Sequence, residues 1–328
     1  MDEYRGEKVL ITGGLGFIGS NLAIRLVELG ASVTLLDSLF PTCGGNYFNV
    51  EPIRKDLEII EGDAADLGLM RKIIREKKYV FNLAGHVSHI ESMEDPFSDL
   101  HMNALAPLAV LEACRYENRT AHVVYAGTRQ SYGRPESLPL VETQLLRPLD
   151  VNGVTKMAGE GFHMVYNRAH GIPTVSLRLV NTYGPRQLVK HPRQGFTGWF
   201  IRQAIDGEEI QLFGDGQQLR GFNYIDDVVE ALLIAATNQP LVGDYFNLGG
   251  DEPVTLEAFV QMLLKIAGRG TYRLVPFPAD KKAIDIGSVY TSAAKFSAAT
   301  GWKTKVRLEE GLTRTVEFYK QHRANYWG

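Results

Sequence analysis

Cysteine is nearly missing. Cys43 and Cys114 are the two present in 328 residues, and neither belongs to a CxxC pair or a Cys/His cluster. This excludes a disulfide framework and a thiolate zinc site, so no metal is expected and both are read as ordinary thiols. No apolar run approaches the roughly 18 residues a membrane span requires. The first residues, MDEYRGEK, are acidic and polar rather than basic and then apolar. Neither a membrane span nor a secretory leader is therefore expected, and the expected location is cytoplasmic. An excess of one charge is missing too: 35 basic and 38 acidic residues leave a net charge of -3, with no Lys/Arg-rich run. That removes the electrostatic footprint of nucleic-acid binding. Repeats, low-complexity tracts and linkers are absent. With 45% hydrophobic residues, a chain of this length buries a full core as one large domain or two coupled ones of enzyme size.

The apolar pattern begins almost at once. Val9-Leu10-Ile11 is a short run of the kind found in buried parallel strands. Asn21 to Leu29 reads as a helix ending at Gly30, and Ser32 to Leu36 as a second strand closing on Asp37. Further strands are expected at 57–60, 79–83, 123–126 and 174–179, separated by helices at 67–77, 105–117 and 154–169. Such alternation predicts an α/β fold, a Rossmann-type doubly wound parallel sheet. After Pro185 the alternation weakens through Gly- and aromatic-rich stretches at 194–200 and 212–224, and helices follow at 225–237 and 256–267. The expected organisation is a dinucleotide-binding domain over 1–183, with 222–250 returning to it. A smaller interleaved α/β substrate-binding region takes 184–221 and 251–328.

Between the first strand and first helix stands Gly13-Gly14-Leu15-Gly16-Phe17-Ile18-Gly19. Glycines there allow a tight turn, let backbone approach a pyrophosphate and let the helix pack closely, while the helix N-terminus faces the phosphates. Asp37, closing the second strand, suits the adenosine ribose hydroxyls and would repel a 2′-phosphate, and no Arg follows it directly. The expected cofactor is NAD rather than NADP. Asp63 suits either the adenine edge or a loop cap.

Together with that loop, Asn82-Leu83-Ala84-Gly85-His86, Asn103, Tyr132-Gly133, Lys156 and the run from Arg178 to Arg186 resemble the extended short-chain dehydrogenase/reductase family. In particular they are similar to its NAD-dependent nucleotide-sugar epimerases and dehydratases, of the UDP-glucose 4-epimerase type. Phe213-Gly214-Asp215-Gly216, Arg220, Asn223 to Val228, Phe246 to Gly249, Gly301-Trp302 and Glu310-Gly311-Leu312 carry the resemblance across essentially the whole chain. It implies that a hydride passes from a sugar carbon to NAD and is later returned, while a side chain takes the hydroxyl proton. Ala84 and Lys156 would line the cofactor, and Lys156 would grip the nicotinamide ribose.

The family motif is Tyr-x-x-x-Lys, but this chain reads Asn152-Gly153-Val154-Thr155-Lys156. A carboxamide donates and accepts hydrogen bonds but is no general base near neutral pH. Thr128 matches the Ser/Thr that meets the reacting hydroxyl. The acid pair that follows it in 4,6-dehydratases is here Arg129-Gln130, so ordinary 4,6-dehydration is disfavoured. Arg129 reads either as loop support or as a grip on an acidic sugar group. Candidates for the displaced proton acceptor are His86, after the fourth strand, and His89 on the same loop with Ser88 and Ser92. Ser88 and His89 are also expected to contact substrate hydroxyls. Tyr132 would ordinarily pack or touch substrate, and Lys156 would serve if desolvated.

On the substrate side, the resemblance implies that Asn181 binds the sugar diphosphate and that Arg220 pairs with its phosphates. Lys190, His191 and Arg193 read as phosphate contacts or as a solvated loop, and Lys281 and Lys282 near Asp285 are a less secure basic pair. Trp199, Phe200, Phe213 and Phe222 read as core or base walls. The resemblance also implies a homodimer through the helices at 105–117 and 154–169. The functions that stay open are a nucleotide-sugar epimerase or related oxidoreductase with an atypical proton acceptor, a silent relative that binds both ligands, and a nucleotide-sugar dehydratase.

Overall fold

The computed structural model describes residues 2–250, 252–278, 282 and 285–327. The strands are β1 Lys8–Thr12, β2 Ser32–Asp37, β3 Leu57–Glu61, β4 Tyr79–Asn82, β5 His122–Thr128, β6 Thr174–Leu179, β7 Asn181–Tyr183, β8 Glu209–Phe213, β9 Leu219–Arg220, β10 Phe222–Tyr224, β11 Asp244–Asn247, β12 Val254–Thr255 and β13 Thr271–Val275. Seven of them form one sheet in the order β11-β6-β5-β4-β1-β2-β3, parallel throughout. Its strands carry few charges because both faces are covered by helices, as in the doubly wound arrangement expected. The larger core packs Val9, Ile11, Leu22 and Leu26 against Val124, Val175 and Leu177, and continues into Ile225, Val228 and Leu232. A second cluster on the other face includes Leu10, Val80, Val110 and Val123.

The helices used below are α1 Phe17–Glu28, α2 Leu67–Ile73, α3 His89–Glu94, α4 Pro96–Leu100, α5 Ala106–Glu117, α6 Val151–His170, α7 Phe196–Asp206, α8 Ile225–Thr237, α9 Leu256–Ala267, α10 Ala294–Thr300 and α11 Leu308–Tyr326. Strand β6 and helices α8 and α9 fall where the sequence pattern puts them. Helix α1 begins at Phe17 rather than Asn21, because Gly16 already stands in extended backbone as its N-cap. Helix α6 begins at Val151 rather than Val154: the Asp150 carboxylate accepts the Gly153 N–H at 2.7 Å and caps it. Helix α2 stops at Ile73, short of Lys77. Helix α7 occupies a stretch that reads as irregular, since Gly195 and Gly198 hide its apolar face from the pattern. Beyond Tyr183, β8 pairs with β13 and β12 with β9, while α9 and α11 pack together under them.

Candidate functional site

Strand order reverses between β1 and β4, so the loops leaving their C-terminal ends diverge and open a crevice. Thr12 ties the two loops, its Oγ1 accepting the Leu83 and Ala84 N–H groups at 3.1 Å each. A continuous cleft of about 810 Å³ runs from there to the smaller region. Gly13, Gly16, Phe17, Ile18, Gly19, Asp37, Asp63 and Ala84 line one end. Thr128, Lys156, Ser88 and His89 line the middle, and Arg129, Asn181 and Arg220 lie towards the other end.

The glycine loop fits a dinucleotide on steric grounds. Gly13 has φ +69° and would bring a Cβ within 3.0 Å of the Ala84 backbone, and a Cβ on Gly19 would fall 2.2 Å from the Gly13 carbonyl oxygen. Gly16 gives α1 no side-chain cap, so the first N–H groups of the helix stay available to an anion. Asp37 accepts the Leu15 N–H at 3.0 Å and the Leu39 N–H at 2.9 Å, which holds the loop onto the end of β2. Burial raises its pKa, and those backbone bonds oppose the shift. Asp63 accepts the Ala65 N–H at 2.8 Å and lies 2.6 Å from His101 Nε2, the geometry of a loop cap on the cleft wall.

Asn152 lies outside the cleft lining. It is fully buried, and its amide donates to the His86 carbonyl at 2.7 Å and to Asp99 Oδ2 at 2.8 Å. His86 is buried beside it and likewise absent from the cleft wall. Its Nδ1 lies 3.3 Å from Asp99 and its Nε2 2.8 Å from Glu91. Burial pulls its pKa down, but the two carboxylates outweigh that and raise it. With a carboxylate at each ring nitrogen, His86 sits where an imidazolium is favoured, away from the cleft wall.

Lys156 is buried and reaches the cleft over Tyr125. Burial presses its pKa down to about 8, against the pull of Asp99. Gly85 is needed beside it, since a Cβ there would come within 2.6 Å of Nζ. Thr128 Oγ1 accepts the Gln130 N–H and donates to Gln130 Oε1, both at 3.1 Å. Gln130 Nε2 lies against the His89 ring, 2.8 Å from Nδ1, and Nδ1 also bonds the Asp150 carboxylate. Ser88 caps α3 by accepting the Glu91 N–H at 3.1 Å.

Arg129 is buried with Nη1 lacking any hydrogen-bond partner, while Nη2 donates to Asn181 Oδ1 at 3.2 Å. Burial lowers its pKa, and the neighbouring charge of Arg220 adds to that. Arg220 donates to the carbonyls of Leu219 and Gly287 at 2.9 and 2.5 Å. Among the described residues neither guanidinium forms an ion pair with a carboxylate. Asn181 also donates to the Gly221 carbonyl at 2.9 Å.

Tyr132 serves the scaffold, donating to Asn247 at 2.8 Å and accepting from Arg178 at 2.6 Å. Arg193 reaches the cleft and pairs with Glu91 at 2.9 Å, whereas Lys190 and His191 are not on its wall. Trp199, Phe200 and Phe213 line the cleft, and Phe222 stacks on Phe259 in the core. Lys282 faces a shallow neighbouring hollow, and Lys281 lies outside the described residues. Asp150, Asp99 and Glu91 escape the sequence reading, although Asp150 stands where a helix N-cap is legible.

A sequence model of the NAD dependent epimerase/dehydratase family matches residues 9–249. This chain belongs to that family. The family member is accordingly an NAD-dependent enzyme. It is 31% identical over 316 residues to a putative UDP-glucose 4-epimerase of Methanocaldococcus jannaschii, covering 96% of this chain and 99% of that protein. It is 28% identical to UDP-glucuronic acid decarboxylase 1 of Xenopus tropicalis, covering 99% of this chain and 76% of that one. The structure of Thermus thermophilus UDP-glucose 4-epimerase in complex with NAD superposes with a TM-score of 0.85 at 31% identity, covering 95% and 99% of the two chains.

Proposed function

We propose that this enzyme is a nucleotide-sugar epimerase whose sugar carries an acidic group, acting with NAD held on residues 1–183 and 222–250. Residues 184–221 and 251–328 complete the sugar-nucleotide site. The return of β11 to the edge of the main sheet supports that division. The observation that carries the reading is one continuous cleft joining the glycine loop to Thr128, Lys156 and two buried guanidiniums that form no ion pair among the described residues. A buried charge is costly unless paired, so Arg129 and Arg220 together ask for a ligand with more than one anionic group. A diphosphate with a sugar carboxylate meets that demand, and the similarity to a UDP-glucuronic acid decarboxylase points the same way.

When bound, NAD supplies a hydride acceptor and, once reduced, a hydride donor. The chain does the rest. The head of α1 and the glycine loop bind the pyrophosphate, and Asp37 meets the adenosine ribose. Lys156 holds the nicotinamide ribose, with its charge close to the reacting hydroxyl. Thr128 orients that hydroxyl. Arg220 and Asn181 fix the diphosphate, and Arg129 holds the acidic group, where its planar fork suits a carboxylate. Arg129 and Gln130 cannot act as the acid of a 4,6-dehydration, so the sugar keeps its oxygen. A cytoplasmic homodimer fits this reading: Leu105, Tyr116, Val154 and Val165 stand exposed on and beside α5 and α6, two helices that pack together.

The test is incubation with UDP-, dTDP-, GDP- and CDP-linked sugars, neutral and acidic, read by proton NMR. Interconversion of an acidic sugar nucleotide with its epimer is expected. A second reading, a silent binder, draws on the burial of Asn152 outside the cleft. It wins if calorimetry shows both ligands binding while no sugar changes.

A further inference from the structure

With Asn152 turned into a buried network and His86 enclosed by two carboxylates, the cleft still holds one imidazole with an orienting partner. We infer that His89 is the proton acceptor of this enzyme and that Asp150 is its positioning residue. The inference rests on the function proposed above and names the group that replaces the missing tyrosine.

Four observations carry it. His89 lines the cleft, with its side chain about one-third exposed, whereas Asp150 beneath it is buried. The Asp150 carboxylate is fixed twice: Oδ1 caps α6 through the Gly153 N–H, and Oδ2 bonds His89 Nδ1. A carboxylate on Nδ1 sets the tautomer with the proton there, leaving the Nε2 lone pair as the acceptor. Gln130 Nε2 lies within reach of both ring nitrogens, so the sugar hydroxyl must displace that amide to reach the Nε2 lone pair, while the other end of the same carboxamide accepts from Thr128 Oγ1 at 3.1 Å. The base is thereby tied to the residue that orients the reacting hydroxyl. The charges around it are Asp150, Glu91 on its own helix with Arg193 paired to it, and Arg129 and Lys156 on the same cleft.

In the oxidising step the sugar O–H bond breaks and an N–H bond forms at His89 Nε2. The electron pair left on oxygen becomes the second bond of the carbonyl as the hydride leaves that carbon for the nicotinamide. Asp150 faces the resulting imidazolium. On return of the hydride, His89 gives the proton back to oxygen, so no acid or base is consumed.

The test uses the full chain with NAD and its turned-over sugar nucleotide. His89→Ala and His89→Gln are expected to lower kcat by roughly 10²–10⁴-fold, with KM within about threefold of wild type. Added imidazole should restore part of the His89→Ala rate but none in His89→Gln, which leaves no cavity for it. Asp150→Asn keeps the helix cap and should give a smaller loss. Near-wild-type turnover by both His89 variants would overturn the inference. A readout independent of turnover is the nitrogen-15 spectrum of the histidine rings in the NAD-free protein, assigned with His89→Gln. A neutral His89 protonated at Nδ1 is expected, and one protonated at Nε2 would overturn the inference. A wild-type chain inert toward every sugar counts against the function proposed above, and the tautomer then decides this inference alone.

Discussion

Replacing Gly19 by alanine places one methyl group where the cofactor loop has no room. Its carbon would lie 2.2 Å from the Gly13 carbonyl oxygen, 2.9 Å from Gly14 Cα and 3.0 Å from the Gly13 carbonyl carbon. All three are backbone atoms, so no rotamer relieves the contact. Ordinary contact begins near 3.4 Å, and the head of α1 must therefore move off the loop by roughly an ångström. Overpacking of this kind costs about 1–3 kcal/mol of stability. The larger effect falls on NAD, because the N–H groups that face its pyrophosphate shift together. Losing one or two hydrogen bonds to a charged group, at about 1.5–3 kcal/mol each, weakens binding by roughly 10- to 10⁴-fold. The assay is calorimetric titration of NAD into the stripped protein, with Gly161→Ala as the matched control. A Cβ on Gly161 meets nothing within 4 Å, and it lies in α6. That change should leave NAD affinity alone and stabilise the fold by up to about 1 kcal/mol. Wild-type NAD affinity in Gly19→Ala would refute the steric argument for the site.

Two further predictions address the scaffold. His163 is buried, its Nδ1 donating to the Gly159 carbonyl at 2.7 Å and its ring stacked 4.5 Å from Tyr125, and burial presses its pKa from 6.5 down to about 4. The unfolded chain binds a proton that the folded one refuses, so the stability present above pH 6.5 is lost as pH falls toward 4. The loss is on the order of 3 kcal/mol, read as a denaturant midpoint at pH 7 and pH 4.5 and flattened in His163→Gln. Val165 is more than half exposed on α6, and Val165→Arg should shift the proposed dimer to monomer in light scattering while leaving the circular dichroism spectrum unchanged; an unaltered mass would place the interface elsewhere.

The fold was legible because its signals are local. Short apolar runs, the glycine loop and Asp37 each follow from neighbouring residues, and the main sheet repeats them in order. Helix α7 was hidden because Gly195 at its cap and Gly198 in its first turn break the apolar pattern, and the short strands β7, β9, β10 and β12 are stabilised by partners far away in sequence. In the site, the sequence marked Asn152 as a departure but not where it points. Its burial against Asp99 and His86 is a tertiary fact. The same holds for His89, whose partner Asp150 lies 61 residues away and reads in sequence as a helix cap. That Arg129 and Arg220 form no ion pair among the described residues is likewise a tertiary fact, invisible in the sequence.

In the function proposed, a hydride leaves a sugar carbon and is returned to it inside one cleft. An acidic sugar nucleotide deuterated at the inverted carbon, incubated with the NAD-loaded protein in ordinary water and read by mass spectrometry, tests this most directly. Epimerised product that keeps its deuterium is expected, because the hydride never meets solvent. Epimerised product in which the label has been replaced by solvent hydrogen would contradict it.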